Sequence, residues 1–170
     1  MVELRPTAID VRALPKISLH DHFDGGIRPA TILEIADAEG VPLPIDDSTG
    51  APIDDAGRLG DWFAEMSDSG SLVEYLKTFD VTTAVMQSEA GLHRTAREFV
   101  EDLVSDGVIV GEIRWAPEQH VQGGLNLDAT VEAVQSGIDE AVSAARASGK
   151  TIYVGQLVTA MRHLDRSVEI

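Results

Sequence analysis

The chain has 170 residues, 44% hydrophobic and 25% charged, the balance of one globular domain with a sizeable core. Its 29 acidic residues outweigh 13 basic ones for a net charge of −16, and no window is rich in Lys or Arg. That excludes nucleic acid binding through phosphates and a polybasic membrane patch, and the absence of Cys excludes disulfides and thiolate metal sites.

The N-terminal stretch MVELRPTAIDVRALPK reads as a polar arm over 1–13, without the apolar core of a signal peptide. No run approaches the roughly 18 apolar residues of a membrane span, so a cytoplasmic location is expected. Ile17 to Leu19 open a strand that runs into His20 and His22 and is broken at Gly25-Gly26. Pro29 suits a first helical turn, Ile32, Leu33, Ile35 and Ala36 form a stripe, and Gly40 follows as a stop. Residues 41–60 are rich in Pro, Gly and Asp and read as a long excursion, with a short helix over 61–66. SLVE at 71–74 is a capping box for a helix carrying Leu72, Tyr75, Leu76 and Phe79. A second helix covers about 89 to 105 and ends at Asp106-Gly107.

Val108 to Trp115 is the second strand, apolar enough to expect burial on both faces, as in a parallel sheet. After a loop, Asp128 is the expected cap of a helix with the stripe Val131, Val134, Ile138, Ala141, Val142 and Ala145. Gly149 stops it, and Thr151 to Val158 is the third strand. The order predicts an α/β fold with parallel strands, too few to close a barrel within this length.

His20, His22 and Asp24 are spaced two apart, so strand geometry sends all three off one face at the strand's C-terminal end. Parallel sheets bind ligands at that end, and two imidazoles there suit one metal ion. Surface or hydrogen-bonded histidines are the alternative. His93 falls on a helix and reads as structural. His120 lies in a loop able to overhang the strand ends, and His163 follows the third strand. Glu112 and Arg114 share a face at the end of the second strand. Arg114 reads as a structural bridge, and Arg162 as an anion contact or an ion pair. The stripe Leu72, Tyr75, Leu76 and Phe79 reads first as core packing, and alternatively as an apolar gate over a planar ligand. No phosphate-binding glycine loop and no nucleophile elbow occurs.

The run LPKISLHDHFDGGIRPATILEIA (14–36) resembles the opening of the metal-dependent adenosine deaminases, whose first barrel strand ends in H-x-H-x-D-G. The resemblance continues at SLVEYLKTFD (71–80), FVEDLVSDGVIVGEIRWAPEQH (99–120) and MRH (161–163). It implies that residues 1–170 are the N-terminal portion of one metal-dependent hydrolase. They would supply the first three strands of a (β/α)8 TIM-type barrel, with extra helices between strands 1 and 2. It further implies one zinc ion held by His20 and His22 and by later residues, Asp24 on a ribose 5′-hydroxyl, and Leu72, Tyr75, Leu76 and Phe79 over the nucleoside. Ala116 falls where some relatives carry Ser. The implied reaction is hydrolysis of adenosine or 2′-deoxyadenosine to inosine or deoxyinosine plus ammonia. The proton-donor Glu and further metal ligands would come from a C-terminal portion outside these residues. Adenine, AMP and aminofutalosine deaminases share the pattern, and a non-catalytic piece keeping the fold is the competing reading.

Overall fold

A computed structural model describes residues 14–162 and 164; the expected polar arm and His163 lie outside them. Three strands, β1 (Lys16–His22), β2 (Val108–Trp115) and β3 (Tyr153–Val158), form one parallel sheet in the order β1-β2-β3. Between β1 and β2 lie α1 (Pro29–Glu39), α2 (Ala56–Ser67), α3 (Leu72–Ala84) and α4 (Glu89–Ser105), and α5 (Leu127–Ala147) joins β2 to β3. The sheet is open, as the strand count implied.

Register decides what each face carries. Gly111, Ile113 and Trp115 of β2 are buried on one face, under α4 and α5. There Leu92, Ala96, Phe99, Val100 and Leu103 meet Ala133, Val134, Ile138, Ala141 and Ala145, close to the predicted stripes. Trp115 Nε1 donates to Gln156 Oε1 at 3.0 Å, and Gln156 Nε2 donates to Gln135 Oε1 on α5 at 2.9 Å. The two helices approach closely because position 137 is Gly; a Cβ there would lie 2.2 Å from the His93 carbonyl oxygen.

On the opposite face Ile17 is aligned with Val110 and Val110 with Tyr153. Ile17, Leu19 and Tyr153 are 63%, 62% and 68% exposed. Among the described residues the expectation of burial on both faces therefore fails, because their helices cover the sheet from one side only.

A second core gathers Ile32, Ile35, Ala36, Ile53, Leu59 and Val85 under α1 to α3. The predicted helix at 61–66 begins earlier, at Ala56, because the Asp55 carboxylate accepts from the Arg58 N–H at 2.8 Å and caps it. The preceding loop is folded on itself. Asp46 accepts hydrogen bonds from Ser48 and pairs with Arg58 at 2.8 Å, which holds its carboxyl down at about 2, Ser48 contributing most. The α3 cap is as predicted: Ser71 Oγ accepts from the Glu74 N–H. The α5 cap is not. Asn126, two residues before Asp128, accepts from the Ala129 N–H at 2.8 Å, which places Asp128 in the first turn, where a carboxylate still favours the helix dipole. Arg28 ties the start of α1 to α4 through Asp102 at 2.6 Å, and Thr31 donates to buried Glu98 at 2.5 Å.

Candidate functional site

The site grows from an irregularity at the end of β1. Pairing with β2 slips between Ser18 and Asp21, and His20 adopts a left-handed φ of 55°. Its N–H turns to Glu112 Oε2 at 3.4 Å. The His20 and His22 rings come side by side, centroids 5.6 Å apart and tilted 49°. Both residues are exposed. Simple alternation would carry Asp24 along the same strand face. Instead the strand ends at His22, and Asp24 sits on a 3-10 turn, Phe23–Gly25, where it is buried. Its Oδ1 lies 3.5 Å from His22 Nδ1 and has no hydrogen-bond partner.

Phe23 anchors that turn, edge-on to Phe99 at 6.2 Å and to Trp115 at 5.7 Å. Gly26 lets the backbone leave over Phe99, since a Cβ there would meet the ring at 2.6 Å. Beyond the turn is a cavity of about 310 Å³, walled by Asp24, Ile27, Phe63, Tyr75, Thr78 and Phe79 among others. Among the described residues Asp24 is the one charged residue in its wall. Of the four predicted α3 residues, Tyr75 and Phe79 line it, ring centroids 5.3 Å apart, and Leu72 and Leu76 do not. Core packing, the first reading of that stripe, is overturned: Leu72 and Leu76 are 70% and 51% exposed. The buried positions of α3 are Thr78 and Thr82, whose hydroxyls donate to the carbonyls of Tyr75 and Phe79 in their own helix and so need no other partner. Phe63 and Thr78 were not anticipated; the α2 boundary that places Phe63 depends on a single Asp cap.

The other candidates separate. His93 pairs with Glu140 across α4 and α5 at 3.2 Å, a structural role as expected. Arg114 shares a register position with His22, yet among the described residues the expected bridge is absent: its Nε is buried without a partner there. No charged side chain of the adjoining strands reaches it. Arg162 is exposed and makes no ion pair among the described residues. Ala116 is buried and offers no polar side-chain atom. His120 does not overhang the strand ends. It closes a 3-10 turn, Pro117–His120, and is fully buried against Trp115, centroids 5.5 Å apart. Burial pushes its pKa down, against the opposing pull of the Met86 carbonyl and the Asp24 charge. Glu118 in the same turn accepts from the Met161 N–H and so ties it to the segment after β3.

Chemically, two exposed imidazoles side by side are a nitrogen donor pair suited to a divalent ion of the zinc type. The set is partial: no group of three or more His, Cys, Asp or Glu arranged to hold a metal occurs among the described residues.

Comparison with known proteins places the chain in a family. The family model described as "Adenosine deaminase" matches residues 15–170. The chain belongs to the adenosine deaminase family. A Mycolicibacterium gilvum (strain PYR-GCK) adenosine deaminase is 52% identical over 164 residues, 96% of this chain and 43% of that protein. Adenosine deaminase 1 of Streptomyces coelicolor is 48% identical over 169 residues, 99% of this chain and 41% of that protein. Among solved structures, Arabidopsis ADAL complexed with GMP superposes with a TM-score of 0.66 at 29% identity, covering 90% of this chain and 42% of that one. The chain thus spans less than half the length of these relatives, and its open sheet matches part of a TIM-type barrel. Membership implies a metal cofactor in general terms. Among the described residues no helix is long and apolar enough to cross a membrane.

Proposed function

We propose that these residues are the N-terminal portion of a single-barrel enzyme that hydrolyses adenosine and 2′-deoxyadenosine at C6, releasing ammonia. A C-terminal portion would complete the barrel. His20 and His22 would hold one zinc ion together with ligands from that portion. Zinc, when bound, acidifies water enough for hydrolysis at neutral pH. Asp24 accepts the ribose 5′-hydroxyl proton as a hydrogen bond, which orients the nucleoside. Tyr75 and Phe79 wall its cavity, and Leu72 and Leu76 extend the same helix face outward to close over it and exclude water.

The observation that carries this reading is the pairing of the two imidazoles, at 5.6 Å, with a cavity whose single charge among the described residues is the Asp24 carboxylate. That charge also ranks the substrates. A neutral nucleoside is accommodated, whereas the 5′-phosphate of AMP would meet a carboxylate with no cation among the described residues of the cavity wall. The names of the relatives at 52% and 48% identity support the same choice.

The test is made on the polypeptide extended to the length of those relatives. Adenosine turnover is followed by absorbance, and metal content by elemental analysis. His20→Ala and His22→Ala are each expected to abolish turnover and to lower bound zinc, with the fold retained by circular dichroism. A wild type without turnover on any aminopurine, or two variants with undiminished turnover, would refute the assignment.

A further inference from the structure

His120 is a buried histidine that the proposed chemistry does not use. Its Nδ1 lies 3.1 Å from the Met86 carbonyl oxygen. A carbonyl only accepts, so Nδ1 carries the proton, and in the neutral ring Nε2 is a bare acceptor. Nε2 is buried and has no hydrogen-bond partner. Full burial disfavours the imidazolium that would turn it into a donor.

Asp24 Oδ1 is in the same condition, buried and without a hydrogen bond. His22 Nδ1, at 3.5 Å, makes an ion-pair contact with it and no hydrogen bond. A row of packed rings links the two places: Phe23, adjacent to Asp24, lies 5.7 Å from Trp115, and Trp115 lies 5.5 Å from His120. Two buried acceptors cannot bond to each other, but one molecule with two donor hydrogens satisfies both.

We infer that His120 is a positioning residue for Asp24: its Nε2 and Asp24 Oδ1 accept the two hydrogens of one buried water, which fixes the carboxylate as it faces the nucleoside cavity. The inference rests on the proposed function for its kinetic consequence, because Asp24 is there the contact to the ribose 5′-hydroxyl. The link between His120 and Asp24 itself does not depend on turnover.

The test uses the relative-length enzyme with adenosine and with 5′-deoxyadenosine, which lacks the hydroxyl Asp24 would hold. His120→Asn keeps an amide donor near the Nδ1 position and removes the Nε2 acceptor. His120→Gln places an amide near Nε2. His120→Asn is expected to raise KM for adenosine about tenfold, the worth of one well-placed hydrogen bond, with kcat little changed. It should leave 5′-deoxyadenosine unaffected, and His120→Gln should recover most of the loss. Equal losses on both substrates, or a Gln variant worse than the Asn variant, would overturn the inference.

Histidine nitrogen NMR decides the same point without turnover. The ring is expected as the Nδ1–H tautomer, with an Nε2 resonance that moves in Asp24→Asn. An Nε2–H tautomer, or an Nε2 resonance indifferent to Asp24, overturns it. Should the wild type turn over no aminopurine, the functional assignment fails and the NMR result still stands or falls alone.

Discussion

The two faces of the sheet behave as if they belonged to different proteins. Gly111, Ile113 and Trp115 point into a packed layer of α4 and α5, and Ile113 has no exposed surface. Leu19, on a neighbouring strand and equally apolar, is 62% exposed. Hydrophobicity alone does not distinguish these positions. What differs is whether the described residues cover them. The covered face is a finished helix–sheet layer, and the open face has the composition of an interior without its contents.

Substitutions can break or sharpen that contrast. Ile113→Ala should have the largest effect, about 2–5 kcal/mol of lost stability by chemical denaturation, because the void forms in a packed layer. Gly137→Ala follows at about 1–3 kcal/mol, since the added methyl is driven into the α4 backbone and pushes the covering helices away from the sheet. Leu19→Ala should change the stability of this 170-residue chain by less than about 0.5 kcal/mol. In a polypeptide of relative length the same change should approach the cost at Ile113, if the open face becomes the barrel interior. Equal effects of Leu19→Ala at both lengths would erase the contrast between the faces.

Much of this architecture is legible in the sequence because it depends on periodicity. The stripes of α4 and α5, the three strands, the Ser71 cap and the stop at Gly40, which adopts φ 70°, follow from spacing and local backbone chemistry. Other features depend on one side chain reaching one backbone group. Asp55 starts α2 five residues before the expected position, and Asn126, not Asp128, caps α5. The α3 stripe has helical spacing in either setting, so spacing could not tell a core-facing stripe from one facing outward. At the site, the H-x-H-x-D run identified the imidazole pair and Asp24, but strict alternation could not foresee the slip in β1 or the turn that buries Asp24. His120 was visible only as a loop histidine. Its burial depends on Trp115 and Met86, which no local pattern connects to it.

The φ of 55° at His20 carries an evolutionary consequence. An ordinary side chain resists that conformation by about 1–2 kcal/mol, whereas glycine adopts it freely. A library screened only for thermal tolerance should therefore drift toward glycine at position 20. A library screened for whatever the imidazole does should retain histidine and bear the backbone tension, so the residue recovered reveals which pressure was applied.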